Sequence, residues 1–81
     1  MHVNVKLFAA ARQYCGCDDV TVELDEDATV RDLRASLAAD YPALDAIIPA
    51  SMIAINHDYA ADDRKIDTNA ELALIPPVSG G

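Results

Sequence analysis

Two short stretches in which every second residue is aliphatic, Val3-Asn4-Val5-Lys6-Leu7 and Val20-Thr21-Val22-Glu23-Leu24, constrain this chain more than any other feature. A period of two marks a strand buried on one face, so both stretches are expected to be strands. Cys15-Gly16-Cys17-Asp18-Asp19 reads as the connection that makes them a hairpin. The period then changes. Val30, Leu33, Leu37 and Tyr41 fall on one helical face, with Arg31, Asp32, Arg34 and Asp40 on the others. Thr29 is the expected N-cap, although Asp32 occupies the capping-box position where Glu or Gln is preferred. Pro42 ends the helix, because proline restricts the residue before it and has no amide hydrogen to donate.

Ala43 to Ala50 reads as a connector broken by Pro49, Met52 to Asn56 as a short strand, His57-Asp58 as a turn, and Tyr59 as a short edge piece. Asp62-Asp63-Arg64-Lys65 is expected to be solvated loop. Asp67-Thr68-Asn69-Ala70 is expected to turn, with Asn69 suited to a left-handed backbone. Glu71 to Ile75 is the last strand, and Pro76-Pro77 stops sheet pairing because neither residue can donate to the ladder. A chain of 81 residues holds one domain. A hairpin, one helix and further strands predict an α+β fold, a ubiquitin-like β-grasp roll in which a mixed β-sheet packs on one main helix. The expected division is a globular domain over 1–76 and a flexible, extended C-terminal diglycine tail over 77–81.

The formal net charge of −8 argues against nucleic acid, whose phosphates need clustered Lys and Arg. A protein with a basic face is the matching partner. Hydrophobic residues make up 52% of the chain, enough to exclude the disordered class. No apolar run approaches the roughly 18 residues of a membrane helix, and the first residues lack a signal-like pattern, so no membrane association and a cytoplasmic location are expected. Cys15 and Cys17 are poorly placed in sequence to bridge each other, and with His2 and His57 isolated no metal site is expected.

Phe8 breaks the parity of Val3, Val5 and Leu7, and Ile75 breaks that of Leu72 and Leu74. If first and last strands are parallel neighbours, both side chains lie on the exposed sheet face beside the tail and form a candidate protein interface. The tail itself, Pro76-Pro77-Val78-Ser79-Gly80-Gly81, is a chemical handle. A terminal carboxylate with a pKa of roughly 3.3 to 3.7 is an anion at neutral pH and a poor electrophile until it is activated. Glycines without side chains suit entry into another enzyme's active site, and prolines favour extended geometry. At about 3.3 to 3.6 Å per residue, the stretch after Pro76 reaches roughly 17 Å.

Leu7-Phe8-Ala9 with Arg12 and Gly16, the Val30 to Leu37 helix, Ala54-Ile55-Asn56, and above all Glu71 to Gly81 together resemble the small subunits of molybdopterin synthase, the MoaD-like sulfur carriers among ubiquitin-like proteins. Gln13 departs from the Glu often found there, and Thr68-Asn69 from a common Gly-containing turn. The resemblance implies a non-catalytic, sulfur-carrying subunit of an enzyme complex. A ubiquitin-activating-like adenylyltransferase uses ATP to join AMP to Gly81, and a sulfur donor protein converts the adenylate to a thiocarboxylate. The loaded chain then donates sulfur to cyclic pyranopterin monophosphate on the synthase large subunit, in a heterotetramer of two small and two large subunits. It further implies that Gly80, Ser79, Val78, Pro77 and Pro76 guide the carrier glycine, that Ile75 and Phe8 dock partners, and that the chain binds no cofactor. Two other readings share the same ending: a ubiquitin-like modifier conjugated through Gly81, and a sulfur carrier for thiamine or tRNA thiolation.

Overall fold

The computed structural model describes residues 1–77. The roles expected of Val78, Ser79, Gly80 and Gly81 fall outside the described residues. Strand β1 (His2–Leu7) buries Val3, Val5 and Leu7 and exposes the residues between them, as its alternation dictates. Helix α1 (Ala9–Cys15) follows, then β2 (Asp19–Glu23), helix α2 (Val30–Asp40), 3-10 turns at Pro42–Leu44 and Ile48–Ala50, β3 (Met52–Ile55), β4 (Asp58–Tyr59) and β5 (Leu72–Ile75). The sheet order is β2-β1-β5-β3-β4. β1 and β5 run parallel at its centre, with Val5 opposite Leu72 and Leu7 opposite Leu74. The other pairings are antiparallel.

One core lies between the sheet and α2. Val30, Leu33 and Leu37 from the helix, Val5, Val22, Ile53, Leu72 and Leu74 from the sheet, and Leu44 from the first 3-10 turn are almost fully buried there. The expected helical face is therefore the buried face, and Tyr41 closes it by donating its hydroxyl to the Thr21 carbonyl at 2.9 Å. The Ala43–Ala50 connector is ordered because Leu44 and Ile48 need the same core.

The N-terminus of α2 is held from two directions. Asp32 Oδ2 accepts from the Thr29 backbone N–H at 2.9 Å, so Asp performs the reciprocal half of the box usually given to Glu. The Asp62–Lys65 loop is a correction: its side chains are exposed, but its backbone is not merely solvated. The carbonyls of Arg64 and Asp62 accept the N–H groups of Val30 and Arg31, each at 2.9 Å, which satisfies donors that a helix start leaves orphaned. Asp32→Ala removes one acceptor and a carboxylate at the positive end of the helix dipole. It is expected to lower stability by about 1 kcal/mol in urea denaturation, whereas Asp40→Ala at the opposite end is neutral or slightly stabilising.

Two further expectations need correcting. The connection between β1 and β2 contains α1, a helix that buries only Ala11 and so leaves no amphipathic stripe in the sequence. Asn69 does not adopt a left-handed backbone. Its turn closes through an Ala70 N–H to Asp67 carbonyl bond at 3.0 Å, while among the described residues the left-handed non-glycine ones are Ala9, Asn56 and His57.

Candidate functional site

The sheet has one face on the core and one face open, and the open face is where the unexplained apolar residues gather. Register fixes its rows. Lys6 lies opposite Ala73, Ala73 opposite Ala54, and Ala54 opposite Tyr59, while Met52 lies opposite Ile75 in the next row toward the C-terminal end of β5. Phe8 follows β1 immediately. Ala9 then turns the chain off the sheet at a φ of 50°, and the Phe8 side chain stays 46% exposed. Two alanines in the middle row and larger side chains around them make a hollow of about 380 Å³, lined by Lys6, Phe8, Ala54, His57, Tyr59, Glu71, Ala73 and Ile75.

Phe8 and Ile75 thus share one concavity. The parity break in each strand and the parallel β1–β5 pairing suffice to bring them together. Ile75 is half-buried and ends β5, Pro76 is buried, and Pro77 is exposed. Burial makes Pro76 an anchor for the start of the tail rather than a surface contact. The sequence reading missed Met52 and Tyr59, which are 43% and 65% exposed on this same face. The alternation of Met52 and Ala54 against Ile53 and Ile55 puts Met52 off the core side of β3, while its meeting with Phe8, and the place of Tyr59, are set by the β3–β5 and β3–β4 registers.

The lower edge of the hollow is polar. Glu71 Oε2 lies 3.5 Å from both Lys6 Nζ and His57 Nε2. These are exposed pairs and contribute little to stability. His57 sits in the two-residue loop between β3 and β4, where Asn56 and His57 have φ values of 51° and 74°. That is the signature of a type I′ hairpin turn, whose second position favours glycine. Asn56 suits its own position and fastens the loop to β5: its backbone N–H donates to the Glu71 carbonyl at 2.8 Å and its side-chain oxygen accepts from the Glu71 backbone N–H at 2.9 Å. His57→Gly should therefore keep or raise stability, by up to about 1 kcal/mol, because it relieves a left-handed β-carbon and removes only a weak exposed pair. Thermal melting checks it, and a clear loss of stability would show that the imidazole supports the fold.

A larger depression of about 530 Å³ lies between the end of β2 and α2 and is lined by Glu23, Leu24, Asp25, Ala28, Asp32, Ala35 and Ser36. Pairing of His2 with Glu23 places it at the opposite end of β1 from Phe8, and its open wall carries the carboxylates of Glu23, Asp25 and Asp32 beside the Ser36 hydroxyl. Among the described residues no group of three or more His, Cys, Asp or Glu side chains is placed to hold a metal ion. No helix among them is long and apolar enough to cross a membrane.

A mixed five-stranded sheet wrapped on one main helix, with parallel first and last strands and a Pro-Pro-Val-Ser-Gly-Gly ending, defines a ubiquitin-like β-grasp protein. The family model described as the ThiS family matches residues 5–81, and the chain belongs to that family. It is 36% identical over 83 residues to the molybdopterin synthase sulfur carrier subunit of Chlamydomonas reinhardtii, with 100% of each chain covered. The crystal structure of SAMP1 from Haloferax volcanii is similar at a TM-score of 0.87 and 34% identity, again over 100% of both chains. A chain of the Helicobacter pylori complex of subunits 1 and 2 of molybdopterin-converting factor has a TM-score of 0.69 over 100% of both chains, and at 22% identity that likeness is one of fold.

Proposed function

We propose that this chain is the sulfur-carrying small subunit of a molybdopterin synthase, with Gly81 as the covalent carrier. The observation that carries the reading is that similarity to synthase carrier subunits spans the whole chain, so the diglycine falls inside the family match rather than beyond it. On this reading the Gly81 carboxylate attacks the α-phosphorus of ATP on an adenylyltransferase and expels pyrophosphate. Sulfide-level sulfur released by a donor protein then attacks the acyl carbon, the C–S bond forms as the bond to AMP breaks, and a thiocarboxylate and free AMP result. In the assembled synthase that sulfur passes to cyclic pyranopterin monophosphate, and two loaded chains supply the two dithiolene sulfurs.

Acid and base groups for these steps belong to the partners. This chain supplies the carrier atom and the surface that delivers it. The Phe8–Ile75 hollow lies at the base of the tail, and we assign it to the synthase large subunit, in a complex of two small and two large subunits. Apolar side chains around an alanine floor, with the polar Lys6–Glu71–His57 edge beside them, fit the usual pattern of an apolar interface centre bordered by a polar rim.

SAMP1 of Haloferax volcanii is a small archaeal modifier protein, and likeness to it favours a second reading, attachment of Gly81 to lysine amines of other proteins. Both readings share the adenylate. Intact mass after incubation with ATP, an adenylyltransferase and a sulfur donor separates them from an incidental tail: replacement of one oxygen by sulfur is expected. Conversion of the precursor by the loaded chain and a large subunit supports the synthase reading, and diglycine remnants on lysines without such conversion would replace it with the second.

A further inference from the structure

Cys15-Gly16-Cys17 plays no part in the sheet face or the tail, yet the fold brings its two sulfurs together. In extended backbone, residues two apart stand about 6.6 Å from each other. Gly16 breaks that geometry. As the C-cap of α1 it has φ 75° and ψ 20°, and its N–H donates to the Arg12 carbonyl at 2.9 Å. Nothing lies within 4 Å of where a β-carbon would stand, so glycine serves the left-handed turn there rather than a tight contact. As a result the Cys15 and Cys17 sulfurs lie 3.3 Å apart, both half-buried against the core.

We propose that Cys15 and Cys17 form a dithiol site that low-molecular-weight disulfides, such as oxidised glutathione, convert reversibly to an intramolecular disulfide. The site is independent of the sulfur chemistry assigned to Gly81. Both thiols are free. With no third metal-ligating side chain grouped beside them among the described residues, thiol exchange suits the pair better than metal binding.

The hydrogen bond gives the sulfurs different parts. Cys17 Sγ donates to Cys15 Sγ, which makes Cys15 the acceptor and Cys17 the sulfur that holds the proton of the contact. Cys15 is therefore assigned the first attack. The Cys17 thiol is pushed above its ordinary pKa, chiefly by its hydrogen bond to Cys15, then by partial burial and by the negative charges of Cys15, Asp19 and Asp18, so it keeps its proton through the first step. The Cys15 thiolate attacks one sulfur of the reagent, the reagent's S–S bond breaks, and one thiolate leaves with the bonding pair. Cys17 then loses its proton and attacks the Cys15 sulfur of the mixed disulfide, expelling the second thiolate. Two protein thiols lose two electrons, the reagent gains them, and the two protons go to the released thiols.

Full-length protein is incubated with oxidised glutathione, quenched with acid and read by intact mass. The expected product is a monomer lacking two hydrogens, returned to its starting mass by dithiothreitol. Cys15→Ser and Cys17→Ser should each accumulate a single glutathione adduct instead, because the second sulfur is missing. Wild-type protein that accumulates stable adducts or covalent dimers, with no monomer lacking two hydrogens, would overturn the proposal without recourse to any variant. Either result leaves the question of sulfur loading on Gly81 untouched.

Discussion

A chain lacking Gly81 is expected to gain no sulfur when incubated with ATP, an adenylyltransferase and a sulfur donor, while the full chain gains it. The truncated protein still ends in a carboxylate and still carries a glycine, so the test is one of position rather than of functional group. Loss of one residue withdraws the reacting carbon by about 3.3 to 3.6 Å from wherever the enzyme holds the α-phosphate. A misplacement of about 1 Å can cost a hundredfold in rate, so a loss of at least that size is expected in single-turnover loading. Folding stability should be unchanged within about 0.5 kcal/mol, because among the described residues the buried ones run from Val3 to Pro76 and none of them loses a neighbour in sequence. Equal loading of both chains would remove Gly81 as the carrier. A large loss of stability would make the tail part of the fold and leave the loading result without a simple meaning.

How much of this protein was legible in its sequence depended on how strongly burial was written into each segment. β1, β2 and α2 each bury one face, so their periods were readable, and even the placing of Phe8 followed from one step of parity. α1 was not readable. Ala9 to Cys15 buries only Ala11, and a helix that small leaves no apolar stripe to detect. The left-handed positions are illegible for a related reason: Asn69 has the right chemistry for positive φ, but its turn closes without it. The hairpin at Asn56 and His57 demands it at both residues, whatever stands there. Long-range pairing was the other gap. That Met52 and Tyr59 join Phe8 on one face follows only from the β3–β5 and β3–β4 registers, which no local period encodes. The sulfur contact at Cys15 and Cys17 was missed because sequence spacing assumes ordinary backbone, and Gly16 is not ordinary.

The sheet face makes the second strong demand. Phe8→Ala is expected to weaken binding of a synthase large subunit by about 2 kcal/mol or more, roughly 30-fold, because aromatic residues at the centre of an interface carry much of its energy. Truncation alone is ambiguous, since nearly half of that side chain is exposed and the remainder touches the protein. Ala73→Arg resolves the ambiguity by adding atoms instead of removing them. Ala73 lies in the floor of the hollow between Lys6 and Ala54, so a guanidinium there fills the space a partner side chain would occupy and places a second cation beside Lys6. Only one face of β5 is changed, and Leu72 and Leu74 keep their places in the core. Titration calorimetry with the large subunit should show a loss at least as great as for Phe8→Ala, with thermal unfolding shifted only slightly. If both variants remain folded and bind at full strength, the hollow is not the docking surface. If both lose the large subunit yet still accept sulfur from the activating enzyme, that enzyme grips the carrier elsewhere, and delivery and loading use different faces of one small fold.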